Sequence, residues 1–258
     1  MKYSPADSGV VITMAGAGSR FAQAGYSVPK YEIPVHGRTL FEWSLESLRS
    51  FIDAGSRFIF VAQARTGVDT FISRQSEKLG IRQLSIIELP GITDGQATTA
   101  MHARSAWDDP NRPLVIYNID TFVHPRALHV EDVRGSGWLP CFPGEGDKWS
   151  FAATGSNSRV SEVREKKRIS NHATIGLYWF DSFARYATAY EHHYADPRNL
   201  EAKERYIAPL YNRLVQEGLE VYIQEISADD VFPLGTPEDV SAFAHGPAPE
   251  LRGLASVL

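Results

Sequence analysis

The segment Val10-Val11-Ile12-Thr13-Met14 runs straight into Ala15-Gly16-Ala17-Gly18-Ser19, and no other junction constrains this chain as strongly. A short run rich in β-branched residues suits a strand buried in a parallel sheet. The five residues after it carry almost no side chain. Backbone N–H groups there can approach an anion closely, and Gly16 and Gly18 supply the backbone freedom that such a nest requires. Arg20 and Lys30 follow and bring positive charge. The anion most often held this way is a phosphate chain; a plain tight turn is the alternative for Gly-x-Gly alone. Two common phosphate motifs are excluded. No Gly-Lys-Ser/Thr closes the loop, and Phe21 occupies the place of the third glycine in a dinucleotide fingerprint.

The chain has 258 residues, enough for one large α/β domain with its own core. Twenty-six Lys and Arg against 31 Asp and Glu leave a formal charge of −5, so neither nucleic acid nor an anionic membrane finds an electrostatic footprint. The single cysteine, Cys141, excludes an internal disulfide and a Cys-rich metal site. The eight histidines show no zinc-type spacing. No apolar run approaches the ~18 residues of a membrane span, and residues 1–8 are too polar for a signal peptide. The expected setting is cytoplasmic, without membrane insertion.

Along the chain, 39–53 reads as a helix with a capping box at Thr39 and Glu42. Strands are expected at 57–63, 82–89 and 112–118, and helices at 66–79 and 96–107. Strands alternating with helices at this spacing predict a Rossmann-like α/β fold with a mostly parallel central sheet flanked by helices. Sites in such sheets sit at the carboxyl ends of the strands, where 15–19 and 118–120 both lie. The second half is a smaller, mixed lobe. Short strands are expected at 138–141, 150–154 and 160–165, a longer one at 173–180 and a last one at 219–226. Helices are expected at 182–194, 202–217 and 237–244. We read one domain over 1–245, with halves of about 9–135 and 136–245. The tail 246–258 reads as loosely held, its leucines available to pack on a second copy in a homo-oligomer.

Asp120 follows a buried strand and faces the anion loop, a natural position for a Mg²⁺ ligand; a helix cap or surface acid is the plain alternative. The turn 93–100 places Gly95 and Gln96 at a helix N-terminus, where they either hold a base and ribose or form ordinary polar surface. The run 164–168 is either a solvated charge cluster or a phosphate contact. Trp138, Phe142, Trp149, Tyr178 and Trp179 are core residues first and sugar-stacking candidates second.

The opening strand with Ala15-Gly16-x-Gly18-x-Arg20-Phe21 and Pro29-Lys30 resembles the signature of the sugar-1-phosphate pyrophosphorylase group of nucleotidyltransferases, which activate sugar phosphates with an NTP. The resemblance spans roughly residues 10–240 and implies a GT-A-like fold whose second half binds the acceptor. It implies that Met14, Ala15, Gly16, Ala17, Gly18 and Ser19 wrap the triphosphate while Arg20 and Lys30 neutralise it. Asn118-Ile119-Asp120 is similar to the family's Asn-Gly-Asp, which puts Asn118 at the nucleotide and Mg²⁺ on Asp120. Gly95 and Gln96 match the segment that contacts the base. Glu165-Lys166 followed by Asn171-x-Ala173-x-x-Gly176-Leu177-Tyr178 resembles the family's acceptor segment. There the acidic residue holds sugar hydroxyls and the lysine holds the acceptor phosphate, so the implied catalytic set is Arg20, Lys30, Asp120 and Lys166. Gly235-Thr236-Pro237-Glu238-Asp239 resembles a late family motif, but Pro233 stands where many members carry a second metal-binding Asp. Either Asp229 or Asp230 substitutes, or Asp120 and the nucleotide hold the metal alone, which is the reading adopted. The variant opening, with Tyr31-Glu32 after Pro29-Lys30, looks like members from surface-polysaccharide clusters. A cytidylyltransferase acting on a polyol or amino-alcohol phosphate, a GT-A glycosyltransferase using an NDP-sugar, and a nucleotide-binding regulatory homologue stay open. The absence of Asp-x-Asp argues against the second of these.

Overall fold

A computed structural model describes residues 3–200 and 203–250; the expectation for the tail beyond 250 lies outside the described residues. The chain opens with β1 (Gly9–Met14), buried along its whole length. A small-residue loop leads into the short helix α1 (Ser19–Gln23). A hairpin of β2 (Pro34–Val35) and β3 (Arg38–Thr39) precedes α2 (Leu40–Glu46) and α3 (Arg49–Asp53). Strand and helix then alternate through β4 (Arg57–Gln63), α4 (Val68–Lys78), β5 (Leu84–Leu89), α5 (Gln96–Met101) and β6 (Leu114–Asn118). After β7 (Thr121–Val123) come β8 (Gly137–Pro143), β9 (Ser150–Thr154), β10 (Val160–Glu165), β11 (His172–Thr174) and β12 (Leu177–Phe180). The chain closes with α6 (Phe183–Tyr194), α7 (Tyr211–Gln216), β13 (Val221–Glu225), β14 (Val231–Pro233) and α8 (Pro237–His245).

Among the described residues, ten strands form one sheet in the order β10-β9-β11-β8-β12-β6-β1-β4-β5, with β13 added beside β8. The run β6-β1-β4-β5 is parallel. Strand β12 enters antiparallel to β6, so the mixed half continues the same sheet rather than forming a separate layer. The side chains alternate between two cores, as strand geometry requires. Val10, Ile12, Phe58, Phe60, Val115 and Tyr117 face the core that also holds Phe41, Leu45 and Ile72. Val11, Ile59, Val61, Leu114 and Ile116 face the other, with Ala97, Tyr186 and Leu214. A third cluster, Phe21, Trp43, Phe122, Leu234 and Phe243, lies under α8.

Several elements differ from the sequence reading for identifiable reasons. The single helix expected over 39–53 keeps its capping box but breaks at Ser47 and Leu48. The buried Ser47 hydroxyl there accepts from the Val123 N–H at 2.8 Å and shares a 3.2 Å hydrogen bond with the Tyr117 hydroxyl, whose own proton goes to the Thr121 carbonyl at 2.6 Å. The third helix ends at Met101 and continues as a 3-10 turn, His102–Ala106. The strand expected over 173–180 splits at Gly176, where φ is +82°: both pieces pair with β8, but β11 also pairs with β9 and β12 with β6. The helix expected over 202–217 is reduced to the 3-10 turn Ala208–Leu210 and α7. Residues before it run along the 93–97 loop instead, with the Arg205 N–H donating to the Asp94 carbonyl at 2.7 Å and the Arg205 carbonyl accepting from the Ala97 N–H at 3.0 Å. The short strands β2, β3, β7 and β14 carry too few residues for a period to show. Trp138, Tyr178, Trp179 and Phe142 are buried core, so of the aromatic candidates only Trp149 stays partly accessible.

Gly176 ties the two halves together. A side chain there would place its Cβ 2.4 Å from Asn118 Oδ1, at a φ that L-residues rarely adopt. Gly176→Ala is expected to lower stability by about 2 kcal/mol, read as a fall in the urea midpoint at unchanged slope.

Candidate active site

The parallel register brings the ends of three strands to one edge, with Met14 opposite Ala62 and Thr13 opposite Asn118. Met14 and Ala15 are buried, whereas Gly16, Ala17, Gly18, Ser19 and Arg20 are exposed along the rim. Gly18 takes φ +61° at the start of α1 and turns the loop back over the sheet. The loop's shape is set by a residue that the sequence reading did not single out. Gln63, at the end of β4, donates from its amide to the Ala15 carbonyl at 2.8 Å and the Gly16 carbonyl at 3.3 Å. With those two carbonyls held by Gln63, the loop is braced from below. The available signal was a polar residue closing an otherwise apolar central strand. On the next turn, Gln96 donates to the Thr13 hydroxyl at 3.2 Å, and Gly95 adopts φ +140° pressed against the Arg205 backbone. The structure thus brings Gly95 and Gln96 beside the end of β1.

At the end of β6, Asn118 donates its N–H to the Gly176 carbonyl at 3.2 Å, and its Oδ1 is buried without a partner. Two residues on, the Asp120 carboxylate forms an ion pair with Lys30 Nζ. The Asp120 side chain is 46% exposed and that of Lys30 13%, so the pair opens toward solvent on the carboxylate side. Burial raises the phenol of neighbouring Tyr117 far above its ordinary range; a hydrogen bond to Ser47 opposes this and the Asp120 charge adds to it, so the phenol stays neutral. The β7–β14 pairing fixes the surroundings of Asp120: Pro233 lies opposite Thr121, and the Asp120 carbonyl accepts from the Leu234 N–H at 2.7 Å.

The strand register answers the question of a second acid. Asp230 sits at the far end of that ladder, where it binds Arg126 at 2.6 Å, and Asp229 is exposed beside it. Neither stands in for an acid at Pro233. The nearer carboxylate is Asp239: the position a Cβ would take on Gly235 is 3.8 Å from both Asp120 Oδ2 and Asp239 Oδ2. Asp239 caps α8 through the Thr236 N–H and meets Lys148 at 3.2 Å. Among the described residues no group of three His, Cys, Asp or Glu is placed to hold a metal. A cation at Asp120 would therefore draw its other ligands from phosphate and water, the habit of Mg²⁺.

On the acceptor side, Glu165 is buried and accepts a hydrogen bond from the Ser150 hydroxyl, with the Tyr178 phenol close by. Lys166 is exposed, takes φ +48° and donates to the Tyr206 hydroxyl. Asn171 is exposed and accepts from Arg168 at 2.9 Å; Arg168 also donates to the Gly144 and Gly146 carbonyls, which commits it to the loop rather than to a ligand. A large surface cavity lies elsewhere, between Arg49, His124, Arg126 and residues 246–250, and none of Arg20, Lys30, Asp120 or Lys166 lines it.

An exposed small-residue loop at the end of a central parallel strand, with Lys30, Asp120 and Asn118 beside it, is the architecture of an α/β nucleotidyltransferase. No protein-family model and no curated protein matches the chain. Solved structures do. The nucleoside-diphosphate-sugar pyrophosphorylase from Vibrio cholerae RC9 is 35% identical, with 92% of this chain and 100% of that chain covered and a TM-score of 0.85. On this match the chain belongs to the sugar-phosphate nucleotidyltransferase family. Two further structures share the fold at lower identity. The inositol-1-phosphate CTP transferase from T. maritima is 15% identical, with 92% and 93% covered and a TM-score of 0.70. The CTP:phosphocholine cytidylyltransferase from Streptococcus pneumoniae is 15% identical, with 92% and 97% covered and a TM-score of 0.68. No helix among the described residues is long and apolar enough to cross a membrane.

Removing the Gln63 brace is expected to loosen the loop without unfolding the sheet. Gln63→Leu should raise the Kd for NTP by about fivefold, measured by calorimetric titration, with the urea midpoint unchanged.

Proposed function

We propose that this enzyme couples an NTP to a sugar 1-phosphate, releasing pyrophosphate and forming a nucleotide-activated sugar for surface-polysaccharide assembly. The observation that carries the reading is the 35% identity to a nucleoside-diphosphate-sugar pyrophosphorylase over that protein's whole length. An oxygen of the acceptor phosphate attacks the α-phosphorus. A new P–O bond forms, the bond to the β-phosphate breaks, and pyrophosphate leaves. The acceptor needs no general base, because a phosphate monoester with a second pKa near ~6 is already mostly dianionic at neutral pH. Catalysis then rests on positioning and charge.

Each candidate residue has a task in that scheme. Backbone N–H groups of 15–19 cradle the phosphates, and Arg20, whose side chain is exposed on the rim, lies over them. Lys30 exchanges its Asp120 partner for phosphate oxygens and offsets negative charge developing on the leaving group. Gln96 and Gly95 face the base and ribose, Asn118 the nucleotide, and Lys166 the acceptor phosphate. Asp120 would hold Mg²⁺, which when bound neutralises and orients the phosphates. Glu165, turned into Ser150, acts on the acceptor's hydroxyls chiefly by holding the wall on which they rest.

The test is pyrophosphate release with Mg²⁺, crossing ATP, CTP, GTP, UTP and dTTP with sugar 1-phosphates, polyol phosphates and amino-alcohol phosphates. Release confined to a sugar 1-phosphate supports the proposal; release only with a polyol or amino-alcohol phosphate replaces it with cytidylyltransferase-type chemistry. Binding of NDP-sugars with no release at all points to glycosyl transfer. Asp120→Asn should lower turnover by about 10²-fold, and near-wild-type turnover would remove Asp120 from the metal. With the acceptor phosphate as nucleophile, kcat/KM for the acceptor should rise with pH to a plateau above about 6, checked by a pH–rate profile at saturating NTP.

A further inference from the structure

Residues 203–207 join two segments that lie far apart in chain order, the 93–97 loop and the strand end at Lys166. Arg205 pairs with the nucleotide-side loop as a strand would, through the Asp94 carbonyl at 2.7 Å and the Ala97 N–H at 3.0 Å. The approach is so close that a Cβ on Gly95 would fall 2.4 Å from the Arg205 carbonyl oxygen. The Arg205 guanidinium reinforces it. It meets the Asp94 carboxylate at 3.1 Å, donates to the Tyr190 hydroxyl at 2.5 Å, and stacks on the rings of Tyr190 and Tyr194. The very next residue faces the acceptor side. The Tyr206 carbonyl accepts from the Tyr194 hydroxyl at 2.6 Å, its hydroxyl accepts from Lys166 Nζ, and the Lys166 ammonium stands 4.5 Å from the centroid of its ring. Lys166 is held at its other end too, with φ +48° and its N–H donating to the Trp149 carbonyl at 2.9 Å.

An exposed lysine is ordinarily left to solvent, because fixing its four-carbon stem loses rotamer freedom. Here backbone and ammonium are both held, and the group that meets the ammonium is a phenol rather than a carboxylate. A carboxylate in that place would cancel the charge and compete with an incoming phosphate. A phenol hydroxyl and a ring face direct the ammonium while leaving its full charge available. We propose that Tyr206 is a positioning residue for Lys166, and that Arg205 ties this position to the nucleotide loop, so that an NTP bound at 93–97 presets the lysine for the acceptor phosphate. The proposal rests on the acceptor role given to Lys166 above. Coupling of this kind is reciprocal: each substrate tightens the other by the same factor.

The experiment uses the full-length enzyme and its Tyr206→Phe, Tyr206→Leu and Lys166→Met variants. Acylation of individual lysines by N-hydroxysuccinimidyl acetate is followed by mass spectrometry, with exposed Lys167 as the internal reference. The contact with Tyr206 engages the amine and limits the reagent's approach to it, and so slows acylation. Tyr206→Leu should speed Lys166 labelling by about threefold, and Tyr206→Phe, which keeps the ring, by less. A mixture of CTP, UTP and dTTP with Mg²⁺ should slow Lys166 labelling in the wild type but not in Tyr206→Leu. In steady-state assays Tyr206→Leu should raise the acceptor KM at saturating NTP by about fivefold, and the NTP KM at saturating acceptor with it, while kcat and the Kd for NTP without acceptor stay within about twofold, a split that a general structural defect would not give. Equal Lys166 labelling in wild type and Tyr206→Leu, or nucleotide protection that persists in Tyr206→Leu, overturns the proposal. Lys166→Met separates it from the reading beneath it. If that variant keeps the wild-type acceptor KM, Lys166 is not the acceptor lysine, even where the labelling result shows that Tyr206 holds it.

Discussion

Everything in the site depends on β1 being hydrogen-bonded on both edges in parallel. Strands β4 and β6 flank it in a common register, so the three carboxyl ends finish at one level. A parallel sheet gives its strand ends the same direction, and loops leaving them converge on one crevice. That convergence puts Gln63 under the small-residue loop and Asn118 and Asp120 beside it. With β1 at an edge, Gln63 and the Asn118–Asp120 segment could not flank the loop from both sides.

The charges sit on this frame with little commitment to each other. Lys30 and Asp120 are paired, yet the carboxylate is half exposed, and pairs open to solvent contribute modestly to stability. In the proposed reaction, partners held that weakly exchange for a phosphate and a cation. The firmly held groups are different ones. Ser47 accepts from the Val123 N–H and is hydrogen-bonded to the Tyr117 hydroxyl, Trp43 donates to the Val35 carbonyl at 2.8 Å, and Arg168 clamps two loop carbonyls. These set positions and leave the ionised groups of the crevice free to respond.

The two halves are stitched at points where side chains would not fit. Gly176 lets β12 leave β11 and lie against β6, with Asn118 filling the space a Cβ would need. Gly95 admits the Arg205 backbone in the same manner. Both glycines were legible as members of motifs. Their physical duty, close backbone approach between segments distant in the chain, was not, because a sequence shows that a side chain is missing but not what occupies its place.

The sequence by itself determined the alternating strand–helix plan of the first half, the loop at 15–19, the capping box at Thr39 and the family resemblance. All of these rest on local chemistry: periodic burial, missing side chains and hydroxyls placed to accept backbone N–H groups. Tertiary structure decided the rest. It broke the 39–53 helix at Ser47, drew 203–207 out of a helix and onto the 93–97 loop, and set Asp239 rather than Asp229 or Asp230 near Asp120. It also brought Gln63 and Tyr206 into the site. The physical reason is common to all of these. Each follows from hydrogen bonds or strand register between residues tens of positions apart, and such pairings are chosen by the assembled fold rather than by any window of sequence.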